Sequence, residues 1–112
     1  MTYNFDNYSL KSGSCGGFDW YEWTVFISKN EPDDKLEKVK SVEYQLDPSY
    51  PKPIRIADNR ANRFALRSAG WGRFRIFITV HLKDGKEMFT IYELDLKKTW
   101  PPDDPELPRP AI

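Results

Sequence analysis

One cysteine, one histidine and no long apolar run bound this 112-residue chain before any motif is read. Cys15, standing alone, can build neither an internal disulfide framework nor a cysteine-based metal site. The single histidine, His81, leaves the usual zinc ligand sets incomplete. No nucleophile and base stand at a recognisable spacing. No stretch approaches the ~18 apolar residues needed to cross a bilayer. The N-terminal MTYNFDNYSLK lacks a basic region followed by an apolar run, so no signal peptide is expected. Gly16-Gly17 is not followed by the lysine of a phosphate-binding loop. It reads as a flexible loop, with Cys15 in it as a candidate thiol. Zero net charge weakens the footprint of a nucleic-acid binder. These absences describe a cytoplasmic chain without catalytic machinery, metal, cofactor or membrane insertion.

Helical periodicity is also missing: KLEKVKSV comes nearest and merges into a strand pattern. Period-two alternation is plentiful instead. Over residues 20–29, Tyr21, Trp23, Val25 and Ile27 fall on one face and Glu22, Thr24 and Ser28 on the other. Val42, Tyr44 and Leu46 alternate with Ser41, Glu43 and Gln45, and residues 64–66 form a short candidate strand. Phe74, Ile76, Ile78, Val80 and Leu82 make the clearest strand of the chain. Asp84-Gly85 then predicts a type I′ hairpin turn, with a returning strand over about 86–96. Seven to eight short strands with regular turn signals predict an all-β, immunoglobulin-like antiparallel β-sandwich. Composition sets a domain over residues 1–98 apart from a proline-rich tail over 99–112.

Two loops carry unusual content. DPSYPKP (residues 47–53) holds three prolines, which bar it from a central strand and stiffen it around Ser49 and Tyr50. SAGWGRF (68–74) sets Trp71 between Gly70 and Gly72, glycines that open backbone angles closed to other residues. Facing rings of Tyr50 and Trp71 would form a flat slot for a planar, uncharged amide. A hydroxyl and a backbone N–H would then satisfy that amide. The plain alternative is that the two rings pack together and close the end of the core. From Ile54 to Lys83 six arginines and one lysine stand against Asp58 alone, a locally basic segment that can steer an acidic partner.

The order WTVF, VEYQLDPSYPKPIR, FALRSAGWGRFRI, then a hairpin and YELDL, resembles the YEATS domain, its prokaryotic branch most closely, over about residues 20–96. The resemblance implies an immunoglobulin-type sandwich that reads acylated lysine, acetyl or crotonyl, between two aromatic rings. It places those rings at Tyr50 and Trp71, the amide-binding hydroxyl at Ser49 and a second donor at the Trp71 backbone N–H. Phe18 or Trp20 corresponds to an aromatic that helps close the pocket. Asp47 stands where a histidine is common and Arg73 where a glutamate is frequent, which shifts the expected ligand toward an acylated or modified peptide in an acidic context. The competing reading is an adaptor domain in bacterial signalling that binds a partner protein, or is joined to an effector or sensor, and has no small-ligand pocket.

Overall fold

Alternating apolar residues on β2 (Phe18–Ile27), β3 (Val39–Gln45) and β6 (Arg75–Leu82) meet in the centre of a sandwich, where Trp23, Val25, Ile27, Val42, Tyr44, Ile76, Ile78 and Val80 are essentially inaccessible. The structure, a computed structural model, describes residues 2–110. Around these three strands lie β1 (Phe5–Cys15), β4 (Ile54–Ala57), β5 (Leu66–Gly70) and β7 (Glu87–Glu93). One sheet has the order β1-β2-β5 and the other β4-β3-β6-β7, every pairing antiparallel. Seven strands in two packed sheets meet the expected immunoglobulin-like architecture. No helix among the described residues is long and apolar enough to cross a membrane.

Several local readings are corrected. The first strand carries no apolar alternation in the sequence, because its inward positions Asn7 and Ser9 are polar. They are buried because they are satisfied. Asn7 Nδ2 donates to Asp95 O (2.9 Å) and Ser9 Oγ (3.1 Å), while Asn7 Oδ1 accepts from Asp95 N (3.1 Å) and from the Tyr92 hydroxyl (2.5 Å). Gly16-Gly17 is not a loose loop but the two-residue turn between Cys15 and its partner Phe18, with φ +59° and +85°. The side chain of Cys15 lies outside the described residues. At the other hairpin only Gly85 has positive φ (+90°). Gly85 N–H donates to Leu82 O and Leu82 N–H to Lys86 O, so a three-residue connection replaces the expected type I′ turn. KLEKVKSV opens with one turn of helix, α1 (Asp33–Glu37), before β3 begins.

The residues after β7 have no regular secondary structure, as their prolines require, yet they lie against the first sheet. Ser9 N–H donates to Lys98 O (2.7 Å) and Trp100 N–H to Ser9 O (3.0 Å). The Trp100 indole is buried, donates from Nε1 to Leu107 O (2.8 Å), and carries the Arg67 guanidinium 5.0 Å above its ring. Tyr8 packs at a tilt against Phe26 (4.8 Å) and donates to Asp104 Oδ2 (3.0 Å). Thr24 and Ser28, on the face of β2 expected to be solvated, are buried along with Phe26, which Tyr8 covers.

Candidate functional site

The 47–53 loop is folded by its own side chains. Tyr50 N–H donates to Asp47 O (3.0 Å), closing a turn with Pro48 at its second position, where fixed φ suits it. Asp47 Oδ1 accepts from Ser49 N–H (2.9 Å), and the Ser49 amide and hydroxyl hold the Asp47 carboxyl below the usual carboxylate range. Leu46 N–H donates to Pro53 O (2.7 Å) across the base of the loop. Arg55 clips the far side, donating from Nε to Lys52 O (2.7 Å) and from Nη2 to Pro51 O (2.9 Å).

That frame sets the Tyr50 ring half-buried, 5.3 Å from Phe74 and edge-on to Trp23 at 6.5 Å. Burial pushes the phenol pKa up, with Asp47 adding to the effect and Trp23 and Arg55 opposing it, so Tyr50 keeps its proton at neutral pH. The Trp23 Nε1–H bears on the phenol oxygen without reaching hydrogen-bond geometry, and is buried without an acceptor.

Opposite stands the end of β5. Trp71 is 53% exposed and packs on Phe18 (5.0 Å) and edge-on to Trp20 (6.4 Å), both of them exposed aromatics of the first hairpin. Neither Gly70 nor Gly72 adopts positive φ, so the expected backbone freedom is not what they supply. Gly70 supplies room instead: a Cβ there would lie 2.4 Å from the Tyr50 hydroxyl. We expect Gly70→Ala to push the Tyr50 ring out of place. The cost would be about 1 kcal/mol of stability, and a ligand bound against that ring would be held about tenfold more weakly. Peptide titration and chemical denaturation of the variant check both figures, and unchanged affinity would show that the ring position does not matter.

Between the two loops lies an open cavity of about 620 Å³. Of the residues singled out by sequence, Trp20, Asp47, Ser49, Tyr50, Gly70, Trp71 and Gly72 line it. Phe18 does not, and reaches it only through Trp71. Sequence reasoning did not place Arg55 and Phe74 here. Arg55 read only as part of the basic segment, and Phe74 as part of the alternation over 74–82. Arg73, noted as an unusual charge, also lines the cavity.

The basic segment is largely used elsewhere: Arg63 is buried, Arg67 covers Trp100, Arg60 meets Glu37 (3.5 Å) and Arg75 meets Glu93 (3.3 Å). Arg55 and Arg73 remain at the cavity, facing Asp47 as its one carboxylate. Among the described residues no group of three or more His, Cys, Asp or Glu could hold a metal ion. His81 lies away from the cavity, 3.4 Å from Glu43 and 3.0 Å from Glu87.

Residues 21–97 match the sequence model of the prokaryotic YEATS domain. The AF-9 homolog of Eremothecium gossypii is 35% identical over 72 residues, which are 62% of this chain and 34% of that protein. The AF-9 homolog of Saccharomyces cerevisiae is 36% identical over 73 residues, 65% and 31% of the two chains. The chain thus spans about a third of the length of these curated relatives. Among solved structures, the Yaf9 YEATS domain recognizing an H3K122suc peptide superposes with a TM-score of 0.65 at 25% identity, covering 87% of this chain and 78% of that one. The Yaf9 YEATS domain bound to H3K27ac gives 0.63 at 23% identity, over 86% and 77%, a likeness of fold.

Proposed function

The chain belongs to the prokaryotic YEATS domain family, and on that premise we propose that it is a non-catalytic cytoplasmic module that binds an acylated lysine, acetyl or crotonyl, of a partner peptide. The observation that carries this reading is the open cavity lined from two loops by both Tyr50 and Trp71. An acyl-amide is planar and apolar on its faces, so aromatic walls can cover it while its edges need two polar partners. Ser49 offers a hydroxyl and Trp71 a backbone N–H for those edges. The reading is supported by the modified histone H3 peptides bound by the Yaf9 domains of the same fold.

The peptide flanking the lysine is the second determinant. Arg55 and Arg73 outweigh Asp47 at the cavity, so acidic flanks are favoured and basic ones repelled. The test is titration of the chain, by intrinsic tryptophan fluorescence, with acetyl-, crotonyl- and unmodified-lysine peptides carrying acidic or basic flanks. Saturation by the acylated peptides alone is the expected result, with the acidic flanks about five- to tenfold tighter at low salt and the gap closing as salt screens it. Saturation by the unmodified peptide to the same affinity would remove the acyl group from the reading. Equal affinity for both flanks would remove the charge argument alone.

A further inference from the structure

The outer faces of the two sheets differ in one respect. Over the three-stranded sheet, Phe26 is inaccessible, with Tyr8 against it and the buried Trp100 against Tyr8. Over the four-stranded sheet nothing in the described chain lies on five large apolar side chains, Ile54, Ile56, Phe77, Phe89 and Ile91, which are 40–65% exposed.

Their positions fall in two adjacent rows, as a pair on β4 and a trio on β6 and β7 parted by Gln45 and Glu43 of β3. Strand register runs Ile54, Gln45, Phe77, Ile91 in one row across β4, β3, β6 and β7, and Ile56, Glu43, Thr79, Phe89 in the next. Phe77 and Phe89 stack at 6.3 Å. At roughly 200 Å² per large side chain, the exposed fractions of Phe77, Phe89 and Ile91 amount to about 300 Å², at the lower end of the range where a monomer's largest patch is often functional, and Ile54 and Ile56 add about 230 Å² on the far side of β3. The belt crosses four strands, about 14 Å, and is two residue rows deep. One α-helix laid across the strands would meet both patches, with Gln45 and Glu43 beneath its middle.

The charges around the belt select its occupant. Glu43 lies in the second row; Glu87, opposite His81, and Glu93, opposite Arg75, flank the belt on β7. Three carboxylates thus share the face with one guanidinium and one imidazole: Glu93 pairs with Arg75 (3.3 Å) and Glu43 and Glu87 lie 3.4 and 3.0 Å from His81, which leaves the face net negative, with Glu43 between its two apolar patches. A second copy of the chain would bring this acidic border against itself. The proline-rich tail, the chain's own loose cover, is already committed to the opposite sheet.

We propose that the outer face of the β4-β3-β6-β7 sheet docks an amphipathic helix of a partner protein, its apolar stripe flanked by lysine or arginine. This surface is separate from the cavity and does not depend on what the cavity binds.

The experiment uses the full chain and two fluorescein-labelled model peptides of about 18 residues, long enough to hold a helix on binding. Both carry the same leucine stripe, flanked by lysines in one and by glutamates in the other. The lysine peptide is expected to bind with micromolar affinity by fluorescence anisotropy, at least tenfold more tightly than the glutamate peptide. Phe89→Glu should weaken it at least tenfold with an unchanged melting temperature, and Ile56→Glu serves as the second variant should Phe89→Glu fold poorly. Reversing Glu43 and Glu87 to lysine should exchange the preference between the peptides. Equal affinity for the two peptides, or no saturation by the lysine peptide, overturns the proposal. So does sedimentation equilibrium showing a dimer that Phe89→Glu dissociates, since a second copy would then own the face.

Discussion

Arg63→Met should lower the unfolding free energy by about 3–5 kcal/mol, read from the midpoint and slope of a urea transition. Arg63 is only 5% exposed, and its guanidinium holds a corner of the fold. Nε donates to Ile27 O (2.9 Å), and Nη2 donates to Ser28 O (2.7 Å) and Glu31 O (2.6 Å). Glu106 stands 3.8 Å from Nη1. Ile27 N–H in turn donates to Arg63 O (3.1 Å), so the end of β2 and the approach to β5 meet at this residue. Methionine keeps much of the buried stem but offers no donor. Three carbonyls would then lose a donor; Ser28 O keeps the Glu31 N–H (2.9 Å), while any that is left dry and unpaired costs about 1–3 kcal/mol. Arg63 and Phe64 both sit at positive φ, +60° and +55°, a conformation that the surrounding bonds must sustain. A loss under about 1 kcal/mol would mean that water replaces the guanidinium at little cost. The side chain would then be a packed surface arginine and not a structural one.

Arg63 also shows where sequence and structure part. In the sequence it is one of six arginines in a basic segment, indistinguishable from Arg73. Burial depends on three carbonyls from another part of the chain, which no local pattern encodes. The same holds for β1: Asn7 and Ser9 face inward because Tyr92 and Asp95, some 85 residues away, complete their hydrogen bonds. Period-two alternation is legible only where the buried face is apolar, as in β2, β3 and β6. The site loops were legible for a different reason. DPSYPKP and the Gly70-Trp71-Gly72 sequence are too costly in prolines, glycines and a large aromatic to be plain connectors. What could not be read was the reason for Gly70, which lies in the approach of the Tyr50 hydroxyl from another loop and not in its own φ. Arg55 and Phe74 escaped because a residue's place in a charge run or a strand pattern says nothing of which cavity it borders.

Trp71→Ala should weaken acyl-lysine peptide binding by about 30-fold, roughly 2 kcal/mol, while changing stability by less than about 0.5 kcal/mol. The two figures separate because Trp71 is 53% exposed and takes no part in the core, its ring contacts being with Phe18 and Trp20 on the neighbouring hairpin. Removing the indole deletes one wall of the cavity and leaves both sheets untouched. Tyr50→Ala could not be read so cleanly. Its ring packs on Phe74 and Trp23, and truncating it would open the core as well as the cavity. The backbone N–H of Trp71 survives the substitution, so the residual affinity measures the amide hydrogen bonds without the aromatic wall. With four tryptophans in the chain, a fluorescence change seen in the parent and lost in the variant identifies the reporter as well as the contact. Calorimetry on the same pair of proteins supplies the affinity when that signal is gone. Retained affinity in Trp71→Ala would place the acyl group away from this ring and leave the exposed Phe18–Trp20–Trp71 cluster to another partner. A 30-fold loss with the fold intact would instead assign the indole its role as the outer wall of the acyl-lysine slot.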